Sequence, residues 1–301
     1  MNPLDLSGLA VALATPFTAQ GEVDLPAFRR LVRHVVAGGV DTLVPLGSTG
    51  EAATILDAER DALISACLEE SSGRPVVVGT GHNATRQAAA LTRRAQALGA
   101  AGALVVTPYY NKPTPDGLVA HYEAIAEAAP GLPLVVYNVP GRTGLNLAPS
   151  TLTRLWANAQ VVAVKESSGN LAQIAEIART MPRGKALLSG DDNLAVASMA
   201  VGAVGLVSVL GNVLPRETSA LVAAARSGNA EEALRLHQQL LPLMDALFLE
   251  SNPIPLKAAL KLLGLCGEGL RLPLVAASLS TRTRLAEALC LSTDGTIPGV
   301  L

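Results

Sequence analysis

Val161-Val162-Ala163-Val164-Lys165-Glu166-Ser167-Ser168-Gly169 is the stretch of this sequence that decides the fold. Its apolar residues run without interruption into a lysine and then into a polar turn that contains glycine. A continuous apolar run that ends at a turn is typical of a strand buried on both faces, as in a parallel sheet. The stretch therefore predicts a parallel β-strand with Lys165 at its carboxyl end.

Lys165 is the residue of this strand that bears on function. Of the five lysines in the chain, only Lys165 is embedded in a strand of this kind. Lysine is almost never buried without a partner, and burial favours the free amine over the ammonium form. A free amine is a nucleophile toward carbonyl groups. The alternative is a lysine that reaches solvent or pairs with Glu166, and the stretch alone leaves both interpretations open.

Apolar, β-rich runs recur along the chain and alternate with segments of helical periodicity. The segment from Leu25 to Val36, for example, has apolar residues at the i, i+3, i+4 spacing of a helix with one buried face. Eight strands alternating with eight helices predict a parallel sheet that closes as a (β/α)8 TIM barrel. The predicted strands lie at 9–14, 41–47, 75–79, 102–107, 133–138, 161–165, 186–189 and 204–209.

An open, doubly wound sheet is the alternative fold. It would need a glycine-rich phosphate turn after the first strand, where this chain reads Ala14-Thr15-Pro16-Phe17. Helix starts are expected at Asp57, at Asn83 as an N-cap, at Thr114-Pro115 and at Asn170.

After about residue 226 the pattern changes to helices alone, at 229–249, 254–264 and 273–290. We therefore expect a catalytic barrel over residues 1–226 and a three-helix C-terminal extension over 227–301. The apolar faces of these helices would pack against the barrel or against another subunit.

Bulk properties narrow the class of protein. A net charge of −2 gives no electrostatic reason to expect nucleic acid or an anionic membrane as a partner. Three widely spaced cysteines and the absence of a basic leader favour a cytoplasmic protein with reduced thiols. The segment from Leu194 to Leu214 has no charged residue, but its glycines favour a buried helix followed by a strand over a membrane span. The four histidines have no ligand spacing, and no phosphate-binding or dinucleotide motif is present, so no metal or nucleotide is expected.

Polar residues cluster at the predicted carboxyl ends of the strands, where a barrel places its active site. Three of the four tyrosines lie there. Addition of an amine to a ketone requires proton transfer, which a tyrosine hydroxyl with hydroxyl partners can perform. We therefore expect Ser48, Tyr110 and Tyr137 to form a proton relay beside Lys165.

Two further features at these strand ends are suited to binding carboxylates. The backbone N–H groups of the turn Ser48-Thr49-Gly50 can bind one carboxylate, and Arg142 can hold a second in a forked pair. The alternatives are a plain strand-to-helix turn and a surface loop cation.

These residues carry a family resemblance. The chain resembles the dihydrodipicolinate synthase and N-acetylneuraminate lyase family, pyruvate-dependent class I aldolases on a (β/α) barrel, over nearly its whole length. The matching motifs are Gly47-Ser48-Thr49-Gly50-Glu51, Tyr137-Asn138-Val139-Pro140-Gly141-Arg142-Thr143 and Val164-Lys165-Glu166-Ser167. Similarity to the synthase branch comes from Thr107-Pro108-Tyr109-Tyr110-Asn111-Lys112-Pro113, Ser189-Gly190-Asp191-Asp192 and Asn252-Pro253-Ile254-Pro255-Leu256-Lys257-Ala258-Ala259.

The resemblance implies catalytic roles for residues of this chain. Lys165 would form a Schiff base with pyruvate, without metal or nucleotide, and Tyr137 would be its general acid and base. Ser48 and Tyr110 would complete the relay, with Tyr110 reaching into the site of a neighbouring subunit. The family is usually a homotetramer, a dimer of tight dimers.

The resemblance also implies a substrate and its binding residues. The second substrate would be L-aspartate-4-semialdehyde, in the diaminopimelate and lysine pathway. Thr49 would hold the pyruvate carboxylate and Arg142 the carboxylate of the semialdehyde, while Gly190 and the backbone carbonyl of Val207 would line the pocket. A lyase for sialic acid or a keto-deoxy sugar acid, and a catalytically idle ligand-binding paralogue, are the alternatives.

Two departures from the family pattern concern activity and feedback. Ser48 stands where the family usually has threonine, which keeps the hydroxyl but loosens its rotamer. At the positions of the lysine-binding feedback cleft, the chain has Asp57, Arg60 and Gln87 and retains Asn83 and Tyr109. Because the carboxylate is lost and a cation is added, weak or absent inhibition by lysine is predicted.

Overall fold

The computed structural model of the protein describes residues 4–293. Eight parallel strands form one sheet in this range, as the sequence predicts. Each strand is short and buried, because helices cover its outer face and side chains fill the barrel interior. The strands are β1 Gly8–Ala12, β2 Thr42–Val44, β3 Val77–Gly79, β4 Gly102–Val106, β5 Leu134–Asn138, β6 Val161–Glu166, β7 Ala186–Ser189 and β8 Gly205–Ser208.

The sheet closes into a (β/α)8 barrel. Its strand order is β2-β1-β8-β7-β6-β5-β4-β3, and an isolated parallel bridge between Leu43 and Val76 joins the two ends. Closure brings the carboxyl ends of all eight strands to one rim. The doubly wound alternative is therefore wrong.

Twelve α-helices lie within the described residues. They are α1 Leu25–Ala37, α2 Asp57–Glu70, α3 Thr85–Ala97, α4 Pro115–Ala128, α5 Pro140–Thr143, α6 Pro149–Leu155, α7 Leu171–Thr180, α8 Ala195–Ala200, α9 Pro215–Arg226, α10 Ala230–Ala246, α11 Ile254–Leu262 and α12 Leu279–Ser292.

The predicted helix starts are confirmed with one exception. The Thr114 side chain accepts a hydrogen bond from the Gly117 N–H, and Asn170 caps α7 in the same way. The prediction of Asn83 as an N-cap is wrong, because α3 begins one residue later than expected and has Ala84 at the cap position. The ring nitrogen Nδ1 of His82 accepts the hydrogen bond from the Ala84 N–H, at 2.9 Å.

The three C-terminal helices are present, but the last begins at Leu279 and not near 273. Pro273 and the chain after it are irregular, and the Ser278 hydroxyl caps the helix by accepting from the Thr281 N–H. Side chains of α10 and α12 share one hydrophobic cluster with β1 and α1. The division between residues 226 and 227 stays a prediction, and residues 294–301 of the predicted extension lie outside the described range.

The uncharged segment from Leu194 to Leu214 folds as a helix and a strand, as predicted, since it contains α8 and β8. Within residues 4–293, no helix combines the length and the apolar character that crossing a bilayer requires.

Candidate active site

Lys165 and Tyr137 face each other at the centre of the site. They are register partners on the neighbouring strands β6 and β5, so their side chains leave the sheet on the same face. The Lys165 amine lies 4.2 Å from the centre of the Tyr137 ring. Lys165 is 5% exposed and Tyr137 6% exposed. The alternative in which Lys165 extends into solvent is therefore wrong.

The next register pair, Asn138 and Glu166, lies on the opposite face of the same strands. Asn138 Nδ2 donates to both carboxylate oxygens of Glu166, at 3.1 and 3.0 Å, and the Ser168 N–H donates to Oε1 at 2.8 Å. Burial raises the pKa of Glu166, and these hydrogen bonds oppose the rise. Because Glu166 is held here, it is not the ion-pair partner of Lys165.

A cavity of about 60 Å³ lies at the rim beside the Lys165 amine. Gly190 forms one wall because it has no side chain. A Cβ atom at this position would lie 1.9 Å from Ser167 Oγ and 2.8 Å from Lys165 Cε. The other lining residues are Ala12, Gly47, Ser48, Thr49, Leu104, Tyr137, Val139, Arg142, Ser167, Asp191, Val209, Phe248 and Asn252.

The turn after β2 brings Ser48 and Thr49 to this cavity. Residues Ser48–Gly50 form a single 3-10 turn, and Glu51 follows in the left-handed conformation with φ of 51°. Thr49 is buried, and its hydroxyl accepts a hydrogen bond from Asn252 Nδ2 at 2.9 Å. Ser48 and Thr49 therefore line the same cavity as Lys165.

Arg142 lies at the mouth of the cavity on the short helix α5. Its Nη2 atom donates to the backbone carbonyl of Asn252 at 2.7 Å, which orients the guanidinium group. Asn252 thus contacts both predicted carboxylate-binding residues, Arg142 and Thr49. Sequence reasoning assigned no role to Asn252; the available signal was its place before Pro253 in a motif otherwise rich in apolar residues.

Ser167 is a second lining residue that sequence reasoning missed. Its Oγ atom is buried and makes no hydrogen bond among the described residues. The signal was the period-two alternation of strands, since a residue two positions after Lys165 is directed to the same face.

Two predicted site residues are not brought to the cavity. Tyr110 is 89% exposed on the loop after β4, with φ of 73°, and it lines neither this cavity nor its neighbour. Val207 is buried in the barrel interior, and Val209 lines the cavity instead. Of the three residues predicted to form the relay, Ser48 and Tyr137 line the cavity of this chain and Tyr110 does not.

Asp191 adds a carboxylate to the cavity beside Lys165. Burial raises its pKa to about 6, while the positive charge of Lys165 opposes the rise. The site thus contains an amine, a phenol and a carboxyl group with a pKa of about 6. Groups of these kinds can exchange protons with a substrate.

A larger cavity of about 570 Å³ adjoins the first and shares Ser48, Tyr137 and Arg142 with it. All but one of the residues that the sequence places in the feedback cleft line it, namely Asp57, Arg60, Gln87 and Tyr109. Burial and the nearby Arg60 charge lower the pKa of His82 in the same cavity. Weak inhibition by lysine stays a prediction.

No cluster of three metal-ligating side chains was found among the residues that the structure describes. The side chains that line the cavity supply a lysine amine, a phenol, hydroxyl groups, a carboxylate and an arginine.

The comparisons with known proteins agree with the geometry. Residues 5–291 match the model of the Dihydrodipicolinate synthetase family. The 4-hydroxy-tetrahydrodipicolinate synthase of Thermomicrobium roseum is 49% identical over 285 residues, 94% of each chain. That of Citrifermentans bemidjiense is 47% identical over 268 residues, 89% of this chain and 92% of its own.

Solved structures give the same result. Dihydrodipicolinate synthase from Aquifex aeolicus superposes with a TM-score of 0.93 at 40% identity, covering 97% of this chain and 99% of that one. A monomeric dihydrodipicolinate synthase variant superposes with a TM-score of 0.92 at 44% identity, covering 95% and 96%. The chain belongs to the dihydrodipicolinate synthetase family.

Proposed function

We propose that the protein is a 4-hydroxy-tetrahydrodipicolinate synthase that condenses pyruvate with L-aspartate-4-semialdehyde. The observation that carries the proposal is the buried Lys165 amine, which lies 4.2 Å from the centre of the Tyr137 ring, beside a cavity that Thr49 also lines. The names of relatives that match nearly the whole chain support the choice of substrates.

The residues act on pyruvate in sequence. Once it has lost a proton, the Lys165 amine adds to the keto carbon, and loss of the resulting hydroxyl as water leaves the imine. Tyr137 exchanges protons with these groups, and Ser48 supplies a hydroxyl for the relay. The turn at Thr49 holds the pyruvate carboxylate. Loss of a methyl proton then gives the enamine, the carbon nucleophile for the aldehyde.

The second substrate enters at the outer side of the cavity. Arg142 binds its carboxylate by a forked pair, with the guanidinium group oriented by the Asn252 carbonyl. Gly190 leaves room for the adduct on Lys165. Neither a metal nor a nucleotide is needed for these steps.

We further propose a cytoplasmic homotetramer, in which Tyr110 enters the site of a neighbouring subunit. The exposure of this tyrosine on a strand-end loop supports the assignment. The barrel, residues 1–226, would carry the chemistry, with residues 227–301 as the extension.

Trapping of the imine tests the proposal. Protein incubated with pyruvate and borohydride should gain the mass of one reduced adduct, located on Lys165. Lys165→Ala should lose the adduct and at least about 10³-fold in turnover, because no other lysine among the described residues lines the cavity. Unmodified, active protein would contradict the proposal. Turnover of N-acetylneuraminate in place of the semialdehyde would assign the site to the lyase branch.

A further inference from the structure

A buried ion pair joins the C-terminal extension to the turn that carries Ser48 and Thr49. Lys257 of α11 contacts Glu51 through Nζ and Oε1, and the two side chains are 0% and 2% exposed. Lys257 Nζ also donates to the Gly269 carbonyl at 2.7 Å. Replacing a buried ion pair by apolar groups of similar size is often neutral for stability, because both charges lose their hydration. Stability alone is therefore a weak reason for this pair.

Glu51 occupies the position that ends the turn. Its N–H donates to the Ser48 carbonyl at 3.1 Å, and its backbone is left-handed, which is costly for a residue with a side chain. Lys257 holds one carboxylate oxygen, and the Arg271 N–H holds the other at 3.1 Å. The extension thus binds the side chain of Glu51, two residues after Thr49.

A second contact reaches the same turn from the extension. Asn252 Nδ2 donates to Thr49 Oγ1 at 2.9 Å. The 3-10 turn has no side-chain cap of its own. Contacts from residues 252–271, remote in sequence but adjacent in the fold, therefore help to hold its conformation, together with the hydrogen bond from Thr15 Oγ1 to the Gly50 carbonyl at 2.8 Å.

We propose that Lys257 is a positioning residue for keto-acid binding. Through Glu51, it holds the turn in the conformation that receives the carboxylate of the keto acid. Lys257 itself lines neither cavity and touches no substrate. The inference rests on the proposed function, because it concerns the pyruvate step of that reaction.

The decisive variant carries Lys257→Met and Glu51→Gln together. Lys257→Met alone would leave the Glu51 charge buried without its ammonium partner, whereas the double variant keeps side-chain size and net charge. We expect KM for pyruvate to rise about tenfold, because the lost interaction positions the turn that binds the keto-acid carboxylate. The fall in kcat should be smaller, although Ser48 of the proton relay lies on the same turn. KM for the semialdehyde should stay unchanged.

Lys261→Met is the matched control. Lys261 lies on the same helix and pairs with Glu268, but it is half exposed. This variant should keep the wild-type KM for pyruvate. A folded double variant with wild-type KM for pyruvate would overturn the inference.

A second variant makes the test independent of folding. Glu51→Asp keeps the charge pair but shortens the carboxylate arm by one methylene, so the turn should shift and KM for pyruvate should rise. An unchanged KM in folded Glu51→Asp also overturns the inference. Wild-type protein that forms no borohydride-reducible adduct would contradict the proposed function instead, so the two failures are distinguishable.

Discussion

At the scale of the residue, Gly190 is fixed by the side chains it faces. A methyl group there would lie 1.9 Å from Ser167 Oγ and 2.8 Å from Lys165 Cε, closer than atoms can approach. Gly190→Ala should therefore displace the Lys165 side chain and lower the rate of adduct formation by about 10²-fold, the cost of misplacing a reacting group by about 1 Å. Quenching the reaction with borohydride after a series of incubation times measures this rate. A wild-type rate would show that the lysine has room to move.

The pKa of Asp191 predicts a pH dependence of stability. Because burial raises this pKa to about 6 from its ordinary value of 3.8, the folded protein binds more protons than the unfolded chain between these values. The stability tied to the protonated carboxyl is thus present below about pH 4 and is lost as the pH rises through about 6.

Asp191→Asn removes this titration. Melting temperatures measured from pH 4 to 7 should show the variant gaining on the wild type as the pH rises through the window. A constant difference between the two proteins would mean that Asp191 titrates alike in the folded and unfolded chains.

At the scale of the element, the structure shows that one of two asparagines near predicted helix starts caps its helix and the other does not. Asn170 Oδ1 accepts from the N–H groups of Ala172 and Gln173 at 3.0 and 3.2 Å, whereas Asn83 precedes a helix capped at Ala84. Asn170→Ala should cost about 1 kcal/mol of unfolding free energy. Asn83→Ala, the matched control, should cost less than about half of that. Urea denaturation of both variants checks the difference, and equal losses would contradict the assignment of the caps.

The sequence pattern predicted the strands and most helix starts correctly. Hydrophobic periodicity and helix capping depend on residues that are close together in the chain. All eight strands fall where apolar β-rich runs predict them, since each strand is buried on both faces. The start of α12 was missed because Pro273 and Ser278 both resemble helix starts. Only the observed cap at Ser278 distinguishes them.

At the scale of the whole molecule, Tyr110 tests whether sites are shared between subunits. Tyr110→Phe should lower turnover about 10²-fold, the usual contribution of a proton-transfer group, while still forming the Lys165 adduct. Mixing it with Lys165→Ala should restore activity, because a hybrid assembly contains one site with both Lys165 and Tyr110. Turnover of the mixture measures this complementation. If the mixture is no more active than the sum of its parts, Tyr110 does not act across an interface.

The sequence by itself determined the repeat, the barrel and the burial of Lys165 in a strand. These depend on local patterns, namely a buried strand in each βα repeat and a lysine within an otherwise apolar strand. The prediction of the reaction class came from the resemblance of the motifs around Ser48, Tyr137 and Arg142 to those of the family.

Only the tertiary structure decided how the site is held. Pairing of β6 with β7 placed Asp191 beside Lys165. Packing of the extension brought Asn252 to Thr49 and Lys257 to Glu51, across more than two hundred residues of chain in each pair. A local sequence pattern cannot predict such contacts, because the two partners are far apart in the chain and are neighbours only in the folded structure.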